Sequence, residues 1–120
     1  MDKFITQNQV DQFELLHPLL QATYFELQEL SKKKPESPLN TYKVKTINRV
    51  IEPLKELLKD EPVFGYLDVL ISDDLPTNSD VVLILSQYKK AMGMFQSKYY
   101  DEYSLRWAIA PIEPPIKRKK

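Results

Sequence analysis

The stretch from Asp80 to Tyr99 limits what this chain can fold into more than any other part of it. It opens on five consecutive apolar residues, Val81 to Leu85, a run that by itself suits a buried strand as well as a helix. The continuation resolves the ambiguity. Val81, Leu85, Tyr88, Met92, Phe95 and Tyr99 recur at steps of three and four, which places them on one side of a helix. Thr77, Asn78 and Ser79 are natural N-caps just upstream, and Asp80 follows Thr77 at the spacing of a capping box. Val82, Leu83 and Ile84 fill the other directions of the first turn and a half, so that end is expected to be enclosed by neighbouring elements. Lys89, Lys90, Gln96 and Lys98 make the later turns more polar on one side.

The same period recurs earlier in the chain. From Asn8 to about Leu30, the residues Phe13, Leu16, Leu20, Tyr24 and Leu27 share a face. Pro18 interrupts this pattern: its ring opposes the carbonyl of Glu14 and it lacks a donor, which predicts a kink or a restart with Pro18 in the first turn. Leu15, Leu19, Ala22 and Phe25 lie on a different side. This helix therefore carries more apolar surface than one core contact requires, and the surplus points to a partner.

Ser31 to Asn40 holds three lysines, Pro35 and Pro38 and reads as a loop, with Asn40 or Thr41 capping the next helix. There Val44, Ile47, Ile51, Leu54 and Leu58 form the apolar stripe, while Lys45, Arg49, Glu52, Glu56 and Lys59 point away. Pro53 predicts a bend at the carbonyl of Arg49. Asn48 flanks the stripe, where a buried hydrogen bond would fix register. Asp60 is expected to cap a short helix, with Pro62 in its first turn and Phe64, Leu67, Leu70 and Ile71 turned inward. Ser72 to Asn78 is a connecting loop.

After Tyr100 the period fades, and Pro111, Pro114 and Pro115 exclude a regular helix for the last ten residues. Trp107, Ile109, Ile112 and Ile116 nevertheless keep this tail apolar. Tyr99, Tyr100, Tyr103 and Trp107 combine large apolar area with a polar tip, which suits either a binding surface or the sealing of a bundle's end. The expected fold is thus all-α: a small helical bundle of three main helices plus one short helix over residues 1–100, followed by an extended aromatic and proline-rich tail with a basic end over 101–120.

At 120 residues, 42% hydrophobic and 28% charged, the chain suits one core. No window reaches the ~18 apolar residues of a membrane span, so no membrane is expected as a partner. Met1 to Thr6 lacks a cationic region followed by an apolar core, and the default location is cytoplasmic. With no cysteine there is neither a disulfide framework nor a thiolate site.

Seventeen basic and seventeen acidic residues cancel, so net charge does not draw the molecule to nucleic acid. Their distribution is uneven: residues 1–31 carry one basic and five acidic side chains, 32–59 eight and three, and 60–80 none and six. Such runs make opposite surface patches or pair between neighbouring helices.

Local signatures of catalysis are absent. His17, the sole histidine, borders the face of Phe13 and Leu20 and reads as a histidine tied by a hydrogen bond at a helix break rather than a general base. Asp68, Asp73, Asp74 and Asp80 lack the ligand spacing, central glycine and closing glutamate of a helix-loop-helix calcium site. Ser86 has no base at a recognisable spacing, and Gly65 and Gly93 cannot make a phosphate loop. No catalytic, cofactor-binding or metal-binding residues are assigned, and a non-enzymatic protein is expected.

The leading expectation is a small adaptor or regulatory protein that presents Leu15, Leu19, Phe25, Tyr100, Tyr103 and Trp107 to a protein partner or to a second copy. The alternative is an accessory nucleic-acid binder using Lys32, Lys33, Lys34, Lys43, Lys45 and Arg49, aided by Lys117, Arg118, Lys119 and Lys120, although no recognition-helix motif accompanies them. Pro111 and Pro114 also have polyproline-ligand spacing beside the basic Lys117.

Overall fold

The computed structural model describes residues 4–110; the expectations for Met1, Ile112, Ile116, the proline spacing at Pro111 and Pro114, and the basic cluster from Lys117 to Lys120 lie outside them. Within that range the protein is an all-α bundle of three long helices: α1 (Gln7–Lys33), α2 (Thr41–Leu57) and α3 (Asn78–Tyr99). A tiny antiparallel hairpin follows, with β1 (Tyr100–Asp101) paired to β2 (Arg106–Trp107).

Each long helix starts where a side chain satisfies its first free amides. At α1, Thr6 Oγ1 accepts from the Gln9 amide at 3.0 Å and Gln9 Oε1 accepts from the Thr6 amide at 2.8 Å, a reciprocal capping box. At α3, Thr77 and Asp80 make the same exchange at 3.1 Å in both directions, as their spacing predicts. Asn40 caps α2 by accepting from the Lys43 amide at 2.8 Å.

The short connection after α1 makes α2 antiparallel to it. Asn78, the first residue of α3, is 8% exposed and donates its side-chain amide to the Lys34 carbonyl at 2.9 Å, so α3 starts where α1 ends. That bond also serves one of the carbonyls a helix terminus leaves without partners. Val10, Phe13, Leu16, Leu20 and Leu27 of α1, Val44, Ile47, Ile51 and Leu54 of α2, and Val81, Leu85, Tyr88, Met92, Phe95 and Tyr99 of α3 close one core.

Several boundaries differ from expectation, each for a packing reason. The helix does not restart at Pro18: α1 runs through it, because Phe13 and Leu16 before it and Leu20 and Leu27 after it are buried in the same core. Ser31 to Lys33 belong to α1 rather than to the loop. Pro53 likewise sits inside α2. The expected short helix is a 3-10 turn, Pro62–Tyr66, entered from Glu61 without a side-chain cap, and Asp60 does not cap it. Leu67 and Leu70 point inward, but Ile71 is 58% exposed. Around the start of α3 the enclosure is incomplete, since Val82 and Ile84 are half-buried while Leu83 is exposed.

Polar clips tie the 61–71 segment to the bundle. Asn48 bonds the backbone of Leu70 in both directions, and the Tyr88 hydroxyl donates to the Asp68 carbonyl at 2.7 Å. Glu61 accepts from the Tyr99 hydroxyl at 2.8 Å and from Lys98 at 3.1 Å.

Beyond α3 the chain folds back onto the bundle. The Trp107 ring lies 5.0 Å from Phe13 edge-on, 5.1 Å from Tyr100 and 6.4 Å from Phe95. Ile109 then forms a parallel bridge with Ile5: the Ile5 amide donates to the Ala108 carbonyl at 2.9 Å and the Ala110 amide to the Ile5 carbonyl at 2.8 Å.

Candidate functional site

Helix geometry advances about 100° per residue, so a helix that packs by one face leaves the opposite face to solvent. On α1 the inward face is already filled by its five buried residues. Leu15, Leu19 and Phe25 nevertheless point the other way and are 58%, 46% and 60% exposed. Leu15, Leu19 and Ala22 fall within about 60° of one another around the helix, and Phe25 lies about 60° beyond Ala22. Asp11 precedes this stripe and Lys33 ends it, both exposed and on the same side.

Beside the stripe, between the second half of α1 and the first half of α2, runs a groove of about 480 Å³. Ala22, Thr23, Glu26 and Leu30 make its α1 wall, and Tyr42, Lys43 and Thr46 its α2 wall, over a floor of Leu27 and Ile47. A smaller recess continues it toward the loop, where Lys33, Lys34 and Lys43 surround Leu30, Pro38 and Leu39. Among the described residues none of these three lysines has a carboxylate within salt-bridge distance, whereas Lys32 pairs with Glu29 at 3.1 Å.

The aromatic residues named from the tail separate into two kinds. Tyr100 and Trp107 are half-buried partners in the hairpin register and meet edge-on at the end of the bundle. Tyr103 is fully exposed at the hairpin tip, next to Leu105, which is 72% exposed and held at φ 58°. Left-handed backbone costs a leucine about 1–2 kcal/mol, so the tip is strained as well as apolar. Asp101 braces it by accepting from the Tyr103 amide at 3.0 Å and the Ser104 hydroxyl at 2.9 Å, which holds the Asp101 carboxyl below the usual carboxylate range.

The basic residues do not form one surface. Lys33, Lys34 and Lys43 meet at the end of the groove, but Lys45 and Arg49 lie about 200° and 240° around α2 from Lys43 and face away from it.

His17 is held by stacking on Phe13, ring centroids 4.9 Å apart, in an unbroken helix, and not by the expected hydrogen bond: its Nδ1 is buried without a partner among the described residues. Burial, and secondarily the charge of Lys89, lower its pKa, which keeps the ring neutral. The Ser86 hydroxyl is committed to the Leu83 carbonyl at 2.6 Å. Among the described residues no group of three or more acidic, histidine or cysteine side chains is placed to hold a metal ion. No helix there is long and apolar enough to cross a membrane.

Sequence reasoning found Leu15, Leu19 and Phe25 from their periodicity, but not the groove. Tyr42 and Thr46 lie off the stripe of α2, and only the antiparallel turn at residues 34–40 sets them opposite Ala22 and Glu26. Tyr42, an aromatic off the apolar stripe at the start of α2, was the available signal, and it is 77% exposed. Compared with protein-family models, curated proteins and solved structures, the chain gives no match.

Proposed function

We propose that this chain is a small, non-enzymatic, cytoplasmic interaction protein, adaptor or regulatory in role, that docks through the outward face of α1. The observation that carries the reading is the exposure of Leu15, Leu19 and Phe25 on a helix whose inward face is already filled. Water-facing leucine and phenylalanine in one stripe, beside an apolar groove, are what a helix-packing interface needs at its centre. Tyr103 at the hairpin tip is a second exposed anchor of the kind enriched in interfaces. The spread of Lys45 and Arg49 away from Lys43 speaks for this reading over a nucleic-acid surface.

The test is the double variant Leu15→Glu/Leu19→Glu. Both positions are exposed, so the variant keeps its helical circular dichroism and its thermal midpoint within a few degrees. Sedimentation across a concentration series, together with affinity capture from the native host, is expected to show association for the wild type and its loss in the variant. Equal association by the two proteins would remove α1 from the role.

A further inference from the structure

On the outward side of α1 an acid, Asp11, lies in the second turn and a base left free among the described residues, Lys33, in the last, while Glu29 between them is paired with Lys32 and Glu26 stands exposed. Asp11 stands one turn before Leu15, and Lys33 closes the helix beside Lys34, with Lys43 of α2 across the groove. Ala22, exposed and small, lies midway between Asp11 and Lys33. We propose that two copies of this chain pair through α1, antiparallel about a two-fold axis at Ala22, with Asp11 of each copy facing Lys33 of the other. This pairing rests on the reading of α1 as the docking face and names its occupant.

A two-fold axis across a helix sets residues equally far from it opposite one another. With the axis at Ala22, Leu19 meets Phe25 of the second copy, apolar against apolar. Leu15 arrives opposite Glu29, whose carboxylate is already paired with Lys32 at 3.1 Å, and next to Leu30 of the groove wall. Asp11 reaches Lys33, which has no carboxylate partner within its own chain among the described residues.

Other registers lose these matches. An axis one turn later puts Glu26 against Glu26, and an axis at Leu19 sends Asp11 to the level of the buried Leu27. A parallel pair puts Asp11 on Asp11 and Lys33 on Lys33, and like charges at close range oppose association. The absence of a side chain beyond Cβ at position 22 lets the two helices approach closely at the axis, as small residues do where helices cross.

The chain contains no cysteine, so single introduced thiols report the geometry cleanly. Ala22→Cys, oxidised with copper phenanthroline, is expected to give a disulfide-linked dimer, while Gln96→Cys on an exposed turn of α3 stays monomeric. Asp11→Lys and Lys33→Asp each place like charges at two symmetric contacts and are expected to weaken the dimer on the order of tenfold, the scale of a few exposed pairs. The combined variant D11K/K33D restores opposite charges and recovers wild-type affinity.

A wild type that sediments as a monomer at every concentration overturns the pairing. So does an Ala22→Cys variant that cross-links no faster than Gln96→Cys, or a D11K/K33D variant no tighter than the single variants. If L15E/L19E abolishes association while Ala22→Cys fails to cross-link, the antiparallel pairing falls and the docking face stands. If L15E/L19E changes nothing, both fall.

Discussion

Asn48 holds Leu70 by both ends of its side-chain amide: Nδ2 donates to the Leu70 carbonyl at 2.9 Å, and Oδ1 accepts from the Leu70 amide at 3.0 Å. An asparagine used this way acts like one rung of a sheet, and it sits on the half-buried edge of α2 where a neighbouring strand would otherwise be needed. Asn48→Leu keeps the approximate volume and removes both bonds, leaving the Leu70 backbone without partners. Urea denaturation is expected to show a loss of about 2–3 kcal/mol, the sum of two bonds with their desolvation penalty. A loss below the usual scatter of surface variants would mean that water replaces the clip at no cost.

Trp107 is the single tryptophan, and its contacts with Phe13, Phe95 and Tyr100 close the end of the bundle opposite the α1–α2 loop. Because the side chain is half-buried rather than enclosed, Trp107→Ala is expected to cost about 2–3 kcal/mol, below the range for fully buried aromatic truncations. Ending the chain after Tyr100 removes in addition the Ile5–Ile109 bridge and is expected to cost more. Guanidinium melts of the two variants, followed by circular dichroism, check both magnitudes. Wild-type melting in either variant would return the tail to the surface.

His17 contributes to stability on the acid side. Its folded pKa lies below the ordinary 6.5, first through burial and then through Lys89. The unfolded chain therefore takes up the proton first as pH falls. The stabilisation is whole above pH 6.5 and is lost as pH drops from there through the folded value. His17→Phe keeps the stack on Phe13 without a titrating group, so its thermal midpoint is expected to change less between pH 7 and pH 5 than that of the wild type. Parallel slopes for the two proteins would contradict this assignment.

Tyr88 acts on the alkaline side. Burial and, to a smaller extent, the charge of Asp68 raise its pKa well above the ordinary 10.0, and its hydroxyl is spent on the Asp68 carbonyl. The folded protein keeps the phenolic proton after the unfolded chain has released it. Stability from this group is intact below pH 10 and declines as pH climbs from there toward the folded value. Tyr88→Phe is expected to lose about 1–2 kcal/mol at pH 7, because the Asp68 carbonyl loses its donor, and to lose less than the wild type between pH 10 and pH 11. Ultraviolet-monitored alkaline unfolding distinguishes the two slopes.

The parts of this fold readable in the sequence were those decided within a few residues. Thr77 and Asp80 cap α3 as their spacing requires, and the stripe from Val81 to Tyr99 is buried along its length. The same logic exposed the surplus face of α1. What escaped was decided by distant partners. Pro18 weakens a helix by local rules, yet the burial of Phe13 and Leu20 on either side of it carries α1 through. The inward or outward choice at Ile71 and Leu83 depends on where a neighbouring element stops, which neither residue encodes. The groove arises from two helices meeting, and a pattern read along one helix cannot contain it.

The bridge between Ile5 and Ile109 joins the earliest and latest parts of the described chain. During synthesis the first turn of α1 leaves the ribosome long before its last clasp is made. The inward leucines of α1 need only α2 and α3 to be covered, so the clasp fastens the start of α1 onto a bundle whose core is already in place.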